Sequence, residues 1–558
     1  MSQGRRSLGH RHGIPPVVRP DHGTRRSIDS PGDRRSRCGL RRSSFVNHRN
    51  SLILCSALGL GLAAAVPARA QEGSEVDALR ARLAELEKRL EAVEGTAKDP
   101  SAVGAPEGSA APEASTEPAA PAEKEAPAKK GKKGTFSFDL PGGLRLRLWG
   151  QARWRGEYRG DTYVQPKTNS TTDFVGQRTR LGLDFDLNKH LGVRVALQDV
   201  RRWGDVGDGL TGPRLATDRA EIHLYEGYGE LRRPWDLPLT LRVGRMRVPQ
   251  LGDQRLISNL DWHLVSRSWD GVQATFEPEG WWIMAFAHNV REPTGLVAGT
   301  DENDDLWFSG LYVSNRMVED LQVDLFLYWR WLGDNKLGAI VTDHKGDRGV
   351  RTDYTFGARV KGKAGPLGYG GLIAYQYGDQ AGDIVAAWAG AVTLSFVQPL
   401  GGGMKFKVLA EYAYASGDPD PTDSRVQTFD PLLPFAHYYH GHQDLFAWRN
   451  LHAVALKAVF WPLKWLSLHA DTHFFFLDRR DDRWYGVGFT RTDGAGAARH
   501  WDSGYVGAET DLYVKFKVLE HISVWGGYSH FFEGAYVRAT GSKSSDQDWA
   551  FLMVTLDF

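Results

Sequence analysis

Between Leu144 and Phe558 the chain keeps returning to one pattern, short runs in which every second side chain is apolar and its neighbours are polar or charged. Successive side chains of a strand leave opposite faces, so a period of two predicts strands that meet two different environments. Eighteen strand candidates follow, the first at 144–159 and the last at 548–558. Their connections alternate in length. Tight turns fall at 188–190, 278–280, 364–366, 461–464 and 519–521, and long loops at 160–173, 204–219, 249–267, 333–352, 417–449 and 478–502. Short turns at one end, long loops at the other and an even strand number are mutually consistent only in a closed barrel. The predicted fold class is therefore all-β, an 18-stranded antiparallel transmembrane β-barrel with its turns in the periplasm; a soluble β repeat has no reason to sort its loops.

The same alternation assigns the faces. In the first strand Leu144, Leu146, Leu148, Ala152, Trp154 and Tyr158 oppose Arg145, Arg147, Gln151, Arg153, Arg155 and Glu157. Charge facing lipid is costly, so the arginines must face the lumen. Arg178 and Arg180 oppose Leu181 and Leu183 in the same way, and Arg359 and Lys361 oppose Phe356, Ala358 and Val360. Arg145, Arg147, Arg153, Arg155, Arg178, Arg180, Arg359 and Lys361 are thus candidate pore-lining residues, and a basic lumen favours anions. A wall whose cations merely pair with nearby carboxylates is the bland alternative. Small residues blur both faces of the fourth and twelfth strands.

The N-terminal part sorts into an extension and signal peptide (1–70), a short periplasmic coiled coil (71–95) and an Ala/Pro/Lys-rich disordered linker (96–133), ahead of the barrel at 134–558. His48 and Arg49 precede an apolar core, and Ala68-Arg69-Ala70 forms a cleavage signature before Gln71. The Arg-, Ser- and Gly-rich residues before it suggest either translation starting near Val46 or an extended n-region. Val76, Leu79, Leu83, Leu86, Leu90 and Val93 alternate steps of three and four, an a/d seam that wants a partner helix and so predicts a homo-oligomer through Val76 to Val93. The linker cannot bury a core.

Composition removes other classes. The only long apolar run, Leu52 to Val66, is too short to span a bilayer as a helix. Both cysteines, Cys38 and Cys55, precede the predicted cleavage site, which leaves the mature chain without a disulfide or a cysteine metal site. No nucleophile motif such as G-x-S-x-G supports an outer-membrane enzyme. No cofactor, catalytic group or metal site is expected. Asp418, Asp420 and Asp423 offer hard oxygen ligands for Ca²⁺, and His437, His440 and His442 have metal-compatible spacing, but an exposed acidic loop and aromatic loop packing account for them more simply.

The last residues, Trp549 to Phe558, alternate and stop on an aromatic, which resembles the closing strand that the outer-membrane assembly machinery recognises. Gly244 to Gly271 reads GRMRVPQLGDQRLISNLDWHLVSRSWDG and resembles the signature of the alginate export family, with its GRQ-type segment, GDQR, LDW and R-x-x-DG. VALQDVRRWGD, YASGDPDPTD and TFDPLLPFAHYYHGHQDLFAWRNL extend the likeness over Leu144 to Phe558. GRMRVP departs from the pattern, which commonly carries glutamine and an acidic residue after the GR. The resemblance implies a Gram-negative outer-membrane channel that conducts an anionic polysaccharide such as alginate. It makes Arg245, Asp253, Arg255 and Arg267 candidates for the constriction or for a loop folded into it. The residues themselves also allow a structural network, with Asp253 and Asp270 pairing Arg255 and Arg267. The partners expected are an anionic polysaccharide or small anionic solute, outer-membrane lipid and the assembly machinery, with no nucleic acid. The alternatives are a porin for uptake of small solutes and, more distantly, a barrel enzyme or adhesin.

Overall fold

The computed structural model describes residues 136–160, 172–203, 222–247, 251–291, 306–333, 341–487, 489–491, 503–539 and 546–558. The signal peptide, the heptad seam and the linker lie outside them. The wall consists of β1 (Leu144–Gly160), β2 (Thr172–Asp186), β3 (Leu191–Arg202), β4 (His223–Arg232), β5 (Leu239–Met246), β6 (Ser268–Phe276), β7 (Trp281–Arg291), β8 (Leu306–Asn315) and β9 (Leu321–Leu332). It continues with β10 (Arg351–Ala364), β11 (Leu367–Gln380), β12 (Asp383–Gly401), β13 (Met404–Ala415), β14 (Leu451–Leu463), β15 (Leu466–Phe476), β16 (Tyr505–Leu519), β17 (Ile522–Glu533) and β18 (Gln547–Asp557). Each pairs antiparallel with its successor, and β18 returns to β1 from Gln151↔Asp557 to Gly160↔Asp548. The barrel is closed, so no wall edge is left open. Two further strands lie against it, Phe136–Leu140 on the start of β1 and Arg425–Val426 on the start of β12.

Burial is inverted relative to a soluble protein. Leu181, Leu183, Val193, Val195, Leu325, Leu327, Val392 and Leu394 are exposed on the outside, while Arg153, Arg155, Glu157, Arg178, Arg180 and Asp184 are buried within. Lipid imposes this, because a charge facing hydrocarbon has no partner. The two blurred strands resolve for separate reasons. β4 carries a bulge: Ala196 pairs with Glu226 and Leu197 with Leu224, so Tyr225 is left over, and both Tyr225 and Glu226 are buried. In β12, Ala387, Ala389 and Ala391 face inward and belong to the same buried cluster as Phe429, Leu432 and Leu433. Small side chains on the wall leave room for a segment inside it.

That segment is one of two, and here the structure departs from a barrel with simple surface loops. Residues 251–267, between β5 and β6, and 416–450, between β13 and β14, fold into the barrel and pair with each other. Ser258 donates to the Leu433 carbonyl (2.8 Å), Leu433 to Leu256 (2.8 Å) and Phe435 to Gln254 (2.8 Å). Leu251, Leu256 and Ile257 from one segment and Leu433, Phe446 and Trp448 from the other pack with wall residues such as Trp269, Phe308 and Tyr328. The lumen thus has an apolar, filled side as well as a charged one.

Candidate pore constriction

The charged side is organised around one turn of the first inward segment. Leu260 and Ser266 adopt left-handed backbone (φ 56° and 63°), and the carbonyls of Asp261, Trp262 and His263 between them all accept from arginines of the wall. From β1, Arg153 donates to the Asp261 carbonyl (2.7 Å) and lies 3.3 Å from its carboxylate. From β2, Arg178 reaches the same carbonyl (3.0 Å) and carboxylate (3.3 Å), and Arg180 donates to Asp261 Oδ1 (2.9 Å). Ser266 Oγ accepts from Arg178 (3.1 Å) and Arg180 (2.7 Å) and donates to Asp261 (3.2 Å). Three guanidinium groups therefore share one carboxylate. Burial pushes the Asp261 carboxyl up, but Arg178, Arg153 and Arg180 outweigh it and hold it well below the usual carboxylate range.

Arg155 continues the array. It donates to Glu157 (2.7 Å) and to the Trp262 carbonyl (2.6 Å), with its guanidinium 4.3 Å from the Trp262 ring centroid. Glu157 also accepts from Arg159 (3.3 Å) and Trp549 (3.1 Å). Trp262 in turn stacks on His437 (4.2 Å), which joins the two inward segments.

The other sequence-derived candidates divide. Asp253 and Arg255 pair (2.7 Å), and Arg255 reaches Glu411 on β13 (2.5 Å) beneath the Tyr439 ring (4.0 Å). Arg267 donates to the Pro434 carbonyl (3.1 Å) of the second segment. These groups fasten the inward segments. Asp270 takes Arg245, opposite it across β5 and β6 (2.9 and 2.6 Å). Arg245 is thus outside the Asp261 array. Arg145 pairs with Asp139 of the preceding strand (2.7 Å), Arg147 lies near Asp186 (3.4 Å), and Arg359 pairs with Asp324 (2.7 Å), with Lys361 further along the same face of β10.

Sequence reasoning missed Asp261 although it stands in the quoted LDW, because nothing local says which of several loop carboxylates the arginines share. It also missed a second network on the opposite wall: Arg330 and Arg351 hold Asp353 (2.6 and 2.7 Å), and Arg330 and Arg449 hold Asp430. Asp418 accepts from the backbone of Asp420 (3.1 Å) and Gln427 (3.4 Å), and burial pushes its carboxyl up to about 6. His442 lies 3.2 Å from Asp511 and His437 3.1 Å from Asp444. Among the described residues no His, Cys, Asp or Glu group has metal-binding geometry.

A closed antiparallel barrel, apolar outside and ionic within, defines an outer-membrane channel of the Gram-negative type. The profile of the family described as alginate export matches residues 145–551, and the chain belongs to that family. Similar solved structures include OpdO and OpdK of Pseudomonas aeruginosa and OccAB4 of Acinetobacter baumannii. Their sequences are 13, 14 and 10% identical, the matches cover 74% of this chain and 97, 98 and 98% of theirs, and each TM-score is 0.47. No curated protein matches the sequence.

Proposed function

We propose that this outer-membrane channel passes an anionic polysaccharide of the alginate type, or smaller anionic solutes, along its arginine-rich side, without chemistry. The observation that carries the reading is the gathering of cations on one side of the lumen, where Arg153, Arg155, Arg178 and Arg180 surround the turn at Asp261 and Arg247 stands exposed beside it. Three of these cations share the single Asp261 carboxylate, whose side chain is 39% exposed, so their positive field reaches water. A polyuronate carries one carboxylate on each sugar and offers the same group repeatedly. A positive field attracts each carboxylate without locking it into a fixed pair, which conduction requires, since a solute must be able to leave as well as enter.

The reading is tested in planar bilayers under a salt gradient. Wild-type channels are expected to prefer anions, and uronate oligomers are expected to interrupt the current more than neutral oligosaccharides of equal length. Cation preference in dilute salt would remove the physical basis of the proposal.

A further inference from the structure

The arginines that hold the inward turn are poorly placed to meet a moving solute. Arg178 is fully buried, and Arg153, Arg155 and Arg180 are 6, 5 and 4% exposed. Their N–H groups go to Asp261, to the carbonyls of 261–263, and to Ser266, Gln151, Gln198 and Glu157. Arg194, another cation of this wall, is tied to Asp184 through two contacts (2.6 and 2.9 Å). Replacing any of these partners with a solute carboxylate exchanges one charge-assisted hydrogen bond for another, with little net gain.

Arg247 differs. It follows the last residue of β5, it is exposed, and among the described residues it makes no hydrogen bond or ion pair. It lies two residues past Arg245, which pairs with Gly227 on β4, and its electrostatic neighbours are Tyr225, Glu226, Asp261 and Arg194. Tyr225 lies under the Arg180 guanidinium, 3.9 Å from ring centroid to Cζ, so Arg247 stands beside the array that grips Asp261. Both it and the part-exposed Asp261 carboxylate border water. Glu226 and Asp261 lie near enough to temper its field but outside ion-pair distance. A cation in that setting attracts an anion and still releases it.

We propose that Arg247 sets the anion preference of the constriction by contacting the carboxylates of the passing solute, while Arg153, Arg155, Arg178 and Arg180 are positioning residues that hold the inward turn. This rests on the anion-channel reading above. It also gives meaning to the GRMRVP sequence, in which a second arginine stands where the family commonly has an acidic group.

The test compares purified full-length channels in planar bilayers under a potassium chloride gradient, with sodium oligouronate as the blocking probe. Arg247→Gln is expected to lower the anion-to-cation permeability ratio by about threefold and weaken block, Arg247→Glu to drive the ratio toward cations, and Arg247→Lys to keep it. Arg153→Gln is expected to leave the ratio within about twofold of wild type while loosening the turn and adding current noise. Folding is checked by heat-modifiable mobility. Because both cysteines precede the predicted cleavage site, Arg247→Cys gives a single thiol in the mature chain. A cationic thiol reagent should restore anion preference there, and a neutral one should not. An unchanged ratio in Arg247→Gln and Arg247→Glu, or equal effects of the two reagents, overturns the assignment. A wild-type channel without anion preference overturns the underlying reading instead, so the two failures are separable.

Discussion

Phe558 exchanges both backbone hydrogen bonds with Gly150, 3.0 Å from its own N–H and 2.8 Å to its carbonyl, and its ring fills the space a side chain at 150 would need. A β-carbon built on Gly150 would lie 2.2 Å from Phe558 Cζ. The terminal residue is therefore the final rung between β18 and β1. Deleting Phe558, or introducing Gly150→Val, is expected to reduce heat-modifiable barrel in the outer membrane severalfold. Wild-type levels of folded protein from both changes would refute this role for the pair.

Asp261→Asn should separate the turn from its arginines without altering its size. The loss of charge-assisted hydrogen bonds is expected to cost roughly 1–3 kcal/mol, to leave three buried cations short of their counter-charge and so to loosen the turn. Single-channel conductance for anions should rise and the thermal midpoint should fall. A variant with unchanged current and midpoint would mean that Asp261 does not anchor the turn.

Acid should loosen the inward segments. Burial holds His263 down at about 4, with Arg155 and Arg267 adding to it, and burial likewise holds His437 at about 4 and His440 well below its ordinary value. Each imidazole is neutral when docked and takes up a proton more readily once released. Docking is thus strongest above pH 6.5 and weakens as pH falls toward 4, at about 1.4 kcal/mol per unit for each histidine, then levels off for His263 and His437 below that value. Channel recordings at pH 7.5 and pH 5 should show larger or noisier openings in acid, and His437→Phe should reduce the difference. Identical currents at both values would contradict the coupling.

Gly441 lies in the second segment with φ +87°, and a β-carbon there would sit 2.4 Å from the carboxyl carbon of Glu509 on β16. The left-handed backbone disfavours a side chain there, and the buried Glu509 carboxyl would have to move to make room. Gly441→Ala should lift this segment off β16 and admit larger neutral polymers in a size-exclusion conductance assay, with the barrel still heat-modifiable. Polymer exclusion equal to wild type would show that the segment does not limit the pore.

The strand number, the sorting of turns and loops, and the inward direction of Arg153, Arg155, Arg178 and Arg180 were all legible in the sequence. Period-two alternation is local, and a bilayer penalises any charge on the wrong face, so the pattern has to be written into each strand. The loops carry no such period. Arg178 meets the Asp261 carbonyl across 83 positions, Arg153 meets it across 108, and Arg267 meets Pro434 across 167. Only closure of the barrel brings those pairs together. The sequence by itself determined which residues face the lumen in the clearly alternating strands; the tertiary structure decided the two blurred strands, which of those charges are already neutralised and that two loops occupy the interior, because a loop's partners are set by the shape of the space it folds into and not by its own pattern.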